Sequence, residues 1–159
     1  LAMLGIQASA EATWRFALSS AASLFNYAGA GHQIKINKAA ATDTASVLFQ
    51  SAWTGHAEMG LNGSKDFSIK VGDDGGQWRE AMRVDRATGN VALGGNWPRT
   101  RLDVDGPVRP ASYTLSTLPS ASAHGAGAIA FVTNATGGAQ LVCSNGSIWM
   151  SLRTGAQIA

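Results

Sequence analysis

Few residues in this chain are of a type and spacing suited to catalysis. Hydrolysis of a glycosidic bond needs two placed carboxylates, one of them kept protonated by a dry site. Asp43, Asp66, Asp73, Asp74, Asp85, Asp103 and Asp105 fall in turns or on the outer sides of alternating segments. Glu58 and Glu80 are the exceptions. Glu80 shares an alternating face with Trp78 and Met82, so a half-buried ion pair is its expected role, and the same holds for Glu58. His32, His56 and His124 lie in or beside turn-rich segments and show no His-x-x-x-His spacing for a metal ion. The order of residues leaves a Ser/His/Asp triad open, but there is no Gly-x-Ser-x-Gly elbow. Asp73-Asp74-Gly75-Gly76 lacks the spaced oxygen ligands of a calcium loop, and no glycine-rich stretch carries Gly-Lys-Ser/Thr for a phosphate. The expectation is a protein that is not an enzyme and holds no metal and no cofactor.

Aromatic residues outside the apolar runs are the remaining signal. Trp53, Trp97 and Tyr113 fall in turns or linkers, where a core role is less evident. Sugar rings stack their C–H faces on such side chains, and neighbouring Asn, Asp and Gln fix the hydroxyls. Trp53 with His56, Asn96 with Trp97, and Tyr113 form the candidate glycan-binding set. The competing reading is that these aromatics seal hairpin ends or an interface between copies. Trp14, Trp78 and Trp149 read as core or interface.

The elements that would carry these residues are strands. Trp78 to Asp85 alternates, with Trp78, Met82 and Val84 on one face and Arg79, Arg83 and Asp85 on the other. Gly89-Asn90 reverses the chain and Asn90 to Leu93 returns it. Gly94-Gly95-Asn96-Trp97-Pro98 stops it, and Arg101 to Gly106 is a further strand. Before this, Trp14 to Leu18 and His32 to Asn37 read as strands, the latter with Ile34 and Ile36 on one face. An Ala-rich helix over residues 8–22 is the alternative near the start. Ala45 to Gln50 is a continuous apolar strand, consistent with burial on both faces. His56 to Leu61 and Asp66 to Val71 follow, joined by the Asn62-Gly63 turn. The spacing predicts an antiparallel meander over residues 24–93. Residues 116–127 read as a loop. The last block has three strands, Ala128 to Thr133, Gln140 to Ser144 and Ser147 to Leu152, joined by Gly137-Gly138 and Asn145-Gly146.

Bulk properties agree with a β-rich protein. The chain has 159 residues, 45% of them hydrophobic, with 14% charged against an ordinary value of about a quarter. Its net charge of +2, with no Lys/Arg cluster, gives no footprint for nucleic acid. No apolar run has the length to span a membrane. The lone Cys143 excludes an internal disulfide and reads as a buried strand thiol. The chain starts at Leu1 without a signal-peptide pattern, so a piece of a longer or processed protein is expected.

Two motifs carry a resemblance. Val84-Asp85-Arg86-Ala87-Thr88-Gly89-Asn90-Val91-Ala92-Leu93-Gly94, followed by Pro98-Arg99-Thr100-Arg101-Leu102-Asp103-Val104-Asp105-Gly106, resembles a pattern of tailed-phage tail fibres and tail-fibre-like proteins of gene transfer agents. Ala92-Leu93-Gly94-Gly95 departs from that pattern's Gly-Ile-Gly-Thr. The stretch from Ser23 to Gln50, followed by Ala57-Glu58-Met59-Gly60-Leu61, is similar to tail proteins of alphaproteobacterial phages and gene transfer agents, with Tyr27 in place of a histidine. Leu118-Pro119-Ser120, Gly127 to Val132 and Ser144 to Trp149 resemble a small terminal module of phage tail proteins. The resemblance implies an all-β fold of short antiparallel meanders and hairpins in two small blocks, assembled as an intertwined fibrous homotrimer. Residues 1–22 would connect, 23–106 would form the β-meander fibre domain, and 107–159 a C-terminal β-module. It further implies a place in the virion tail, contacts to other tail or baseplate proteins, and a receptor that is a bacterial surface polysaccharide or envelope component. His32 is the one histidine that would suit an ion held on a threefold axis. A polysaccharide-degrading tailspike and a purely structural connector are the competing functions.

Overall fold

Glycine, asparagine and aspartate punctuate short apolar runs throughout the chain, and a computed structural model shows the resulting all-β fold for residues 2–158. Leu1 and Ala159, the ends of the expected first and last segments, lie outside the described residues. The chain divides into two units, Leu1–Ala40 and Ala41–Ala159.

In the first unit, β1 (Leu4–Ile6) and β2 (Phe16–Leu18) form a parallel pair, Leu4 opposite Phe16 and Ile6 opposite Leu18. The Ala-rich helix does not form. The strand expected over His32 to Asn37 is absent as well: this stretch is irregular, with Ile34 and Ile36 exposed. Alternation supplies one apolar face, but a strand also needs a hydrogen-bonding neighbour, and within the described residues this stretch has none.

The second unit holds two sheets. The first contains β3 (Thr44–Ser51), β4 (Thr54–Asn62), β5 (Phe67–Gly72), β6 (Trp78–Val84), β7 (Val91–Leu93) and β8 (Leu102–Val104), each beside the next. The meander is antiparallel through β7, as the turn signals predict. β8 then lies parallel to β7. Parallel neighbours usually need a connection of a dozen or more residues. Here the strands are three residues long, about 10 Å, so residues 94–101 suffice. Gly94 and Gly95, both at φ +95°, start this crossover.

The register sorts side chains into two rows that cross all six strands. Val47, Met59, Ile69, Met82, Leu93 and Val104 pair in sequence along one row. Ser46, Gly60, Ser68, Arg83, Ala92 and Asp103 form the adjacent row, on the opposite face. The first row is apolar, yet Val47, Met59 and Leu93 are exposed and the others only half-buried. The flanking apolar residues Phe49, Phe67, Val71 and Leu102 are exposed too. The second row is small and polar, and here Ser68 and Ala92 are buried. β3 was expected to be buried on both faces. It is instead the edge strand, and only its Ala45 is buried.

One bulge alters the reading of β6. Ile69 pairs with Met82, and the next residue of β5, Lys70, pairs with Glu80, so Ala81 is the extra residue. An inserted residue moves the side chains before it to the other face. Trp78 and Glu80 therefore share the face of Arg83 and not that of Met82 and Val84. Trp78 is 41% exposed, and its indole roofs Gly55 and Gly72, where a Cβ would meet the ring at 3.0–3.2 Å.

The second sheet has the order β12-β11-β10-β9, from β9 (Ser112–Tyr113), β10 (Ala126–Val132), β11 (Gln140–Asn145) and β12 (Trp149–Ser151). The three expected strands form, and β9 joins them parallel to β10. Ala121, Ala130, Val132, Ala135, Val142 and Trp149 make its core. The expected loop over residues 116–127 contains one helical turn, α1 (Ala121–His124). It forms because Ala121 is buried in that core and its carbonyl accepts a hydrogen bond from Ser144 Oγ at 3.1 Å. Trp149 Nε1 donates to the carbonyl of Pro119 at 2.7 Å and fixes the segment before the turn. Cys143 alternates with the buried Val142 and Ser144, so it is half-buried instead of buried. Of Trp14, Trp78 and Trp149, only Trp149 is a core residue of the described chain; Trp14 is 55% exposed.

Two tests follow from these contacts. Trp149→Ala removes the largest core side chain and is expected to destabilise the C-terminal sheet by about 3–5 kcal/mol, read as a lowered urea midpoint. The turn after β6 depends on Asp85, whose carboxylate accepts from Ala87 N–H at 2.8 Å and from Thr88 Oγ1 at 2.7 Å. The Ala87 bond first, then the Thr88 hydroxyl, hold the carboxyl below its ordinary value of 3.8. A depressed carboxylate contributes fully above its unfolded value and loses that contribution as pH falls through the folded one. The Ala87 amide proton shift should titrate with a midpoint below 3.8, and Asp85→Asn should abolish the titration.

Candidate functional site

The crossover between β7 and β8 places Asn96 and Trp97 above the polar row. Pro98 is buried and anchors the loop. Arg83 rises from the centre of the row beneath it. In a regular strand, residues three apart point to opposite faces. The bulge at Ala81 cancels that, so Glu80 and Arg83 meet: Arg83 Nε donates to Glu80 Oε1 at 2.7 Å and Arg83 Nη2 to Glu80 Oε2 at 2.9 Å. Asp66 Oδ2 lies 3.7 Å from Arg83 Nη1. All three side chains are mostly buried. Arg83 Cζ lies over the Trp97 ring, 4.5 Å from its centre. Trp97 itself stays 62% exposed. Glu80 is therefore in the ion pair expected of it, although its partner and its face follow from the bulge.

Asn96, Trp97 and Arg99 line a hollow of about 280 Å³. Arg99 Nε and the Arg99 backbone N–H both donate to Asp103 Oδ2, at 2.9 and 3.1 Å. These bonds hold the Asp103 carboxyl below its ordinary range and the Arg99 guanidinium above its own.

Trp53 and His56 lie elsewhere, at the β3–β4 hairpin. Ala52 and Trp53 both take left-handed backbone angles, φ +46° and +67°. This is the two-residue turn that suits hairpin twist, normally filled by Asn and Gly. A tryptophan there is unusual, and it is 82% exposed. His56 Nε2 is hydrogen-bonded to Ser51 Oγ at 2.7 Å, and His56 Nδ1 lies 3.8 Å from Asp74 Oδ1. The order hydroxyl, imidazole, carboxylate is that of an acyl-transfer triad. The geometry falls short of one. Asp74 is 96% exposed and beyond hydrogen-bond distance, so water competes for it and the imidazole is not held in one tautomer.

Tyr113 sits half-buried on β9 and flanks the C-terminal core. The five candidate residues thus divide among three places: the crossover, the hairpin tip and the second sheet. Glu58 accepts from Ser46 Oγ at 2.5 Å. His32 lies in the first unit with its ring 6.0 Å from that of Phe25. Among the described residues no three His, Cys, Asp or Glu side chains gather to hold a metal ion, and no helix is long and apolar enough to cross a membrane. Sequence reading missed Arg83 and Arg99. The doublet of small residues Gly94-Gly95 before Asn-Trp-Pro signals a tight loop, but only the bulge and the parallel pairing bring arginines under and beside it.

Arg83→Ala would leave Glu80 and Asp66 mostly buried without their cation and free the Trp97 ring. Removal of one partner of a buried pair costs about 3–5 kcal/mol, less where water reaches the site, so a loss of about 2 kcal/mol in denaturant unfolding is expected. Arg83→Lys, which keeps the charge but loses the fork and the stack, should fall between. No protein-family model matches this chain, and comparison with curated proteins finds no match either.

Proposed function

We propose that this chain is a structural, receptor-facing part of a phage or gene-transfer-agent tail fibre, assembled as a homotrimer. The observation that supports this reading best is the open apolar face of the six-stranded sheet. A sheet with one apolar face needs a second layer to cover it, and within its own unit β3–β8 contributes only Ala45 and Ala92 to a buried apolar core. Three copies with their apolar faces toward a common axis would cover the row and leave the polar face, with its crossover loop, outward.

In this reading the fibre extends from the virion tail, joins other tail or baseplate proteins, and binds a surface polysaccharide or another envelope component. Three copies give avidity to a weak single site. Binding is favoured over degradation because both Glu80 oxygens and an oxygen of Asp66 are committed to Arg83, and Glu58 is bonded to Ser46. Those carboxylates are spoken for structurally.

Light scattering on the size-fractionated protein should give the mass of three chains. Ile69→Asp, at the centre of the apolar row, should prevent that assembly. The trimer should adsorb to host cells bearing surface polysaccharide and fail on cells stripped of it. A stable monomer at micromolar concentration would overturn the assembly. A trimer that binds no cells would make this segment shaft and not tip.

A further inference from the structure

We propose that Trp97, Asn96 and Arg99 form a binding site for a pyranose ring that bears a carboxylate, a uronic-acid unit. The biological use of this site rests on the receptor-facing reading above, but its chemistry lies within one chain. Trp97 is held before any ligand arrives. Arg83 stacks on it at 4.5 Å and is itself fixed by Glu80 at 2.7 and 2.9 Å. A pre-ordered aromatic avoids the entropy loss of ordering on binding, and 62% of its surface is still open. The C–H face of a sugar ring stacks on such a surface. The hollow, about 280 Å³, is at or below the about 300–1,000 Å³ of pockets for drug-sized ligands, so it takes one ring. The Asn96 amide offers two donors and an acceptor, which matches a pair of neighbouring hydroxyls.

Arg99 sets the charge of the ligand. Its Nε is spent on Asp103, which tethers the guanidinium at one edge. Its two Nη groups have no partner among the described residues, and its side chain is 80% exposed. Two parallel donors on one planar group match a carboxylate. Asp103 faces Arg99, while Glu80 and Asp66 share Arg83, so one net negative charge lies beneath the loop and keeps the margin for an acidic ligand small. The site lies over the polar row, on the side away from Val47, Met59 and Ile69, so the proposed assembly leaves it open.

The test is calorimetric titration of the purified full chain with oligogalacturonate, its methyl ester and a neutral glucan oligosaccharide. The free acid should bind about fivefold more tightly than the ester, the margin of one exposed charge pair. Arg99→Gln should bring acid and ester level, with assembly unchanged and a small loss of stability from the freed Asp103 carboxylate. Trp97→Ala should abolish binding of both, and Asn96→Ala should weaken both without touching the Arg83 stack. Equal affinity of the wild-type chain for acid and ester, no binding of any of the three, or binding undisturbed in Trp97→Ala would each overturn the proposal. A trimer that binds none of the sugars removes this site alone. A monomer that binds the acid removes the fibre reading and keeps the site.

Discussion

An apolar row that crosses six strands has to be shielded from water, and within its own unit the sheet formed by β3–β8 has no layer to shield it. Val47, Met59, Ile69, Met82, Leu93 and Val104 lie side by side, and half of them are exposed. The opposite face is polar and yet holds the buried Ser68, Asp66 and Ala92. This inverts the ordinary arrangement, in which apolar residues are inside. The C-terminal sheet shows the ordinary one, with Trp149, Val142 and Val132 in a core closed by α1 and the Pro119 segment. One chain thus contains a sheet that satisfies itself and a sheet that does not. In the assembly proposed above, other copies of the chain supply the layer that the second sheet lacks.

The polar face has its own organising group. Arg83 is the one large side chain in a row of Ser, Gly, Ala and Asp. It binds Glu80 and Asp66 and supports the crossover through Trp97. Small neighbours also let the strands themselves approach closely. At Gly60 a Cβ would come within 2.4–2.9 Å of Ala45 and Ser46, so strands β3 and β4 depend on its absence. The loop is therefore carried by a rigid base, which is the usual setting for residues that bind ligands.

The strand content from Thr44 onward was legible because turn residues bracket alternating runs: Asn62-Gly63, Gly89-Asn90, Gly137-Gly138 and Asn145-Gly146 all connect strands as expected. What escaped was everything set by pairing between strands. The bulge at Ala81 reverses the face of Trp78 and Glu80, and no local pattern announces it. The parallel entry of β8 reads the same in sequence as an antiparallel one. His32 to Asn37 alternates well but finds no neighbour. Of the candidate site, Asn96 and Trp97 were legible as exposed loop residues, while Arg83 is fourteen residues away in the chain and joins them only through the fold. Tyr113 looked like a linker residue because β9 is two residues long.

The parallel step between β7 and β8 also decides where the polypeptide goes. Six strands that alternate strictly would return the chain to the end at which it entered. With β8 running the same way as β7, the chain enters the sheet before Thr44 at one end and leaves after Val104 at the other. The sheet is therefore a segment with a direction, like a link whose two eyes are at opposite tips. Such links can be joined in tandem, and adding or deleting a whole one changes the length of a series without turning the chain back on itself.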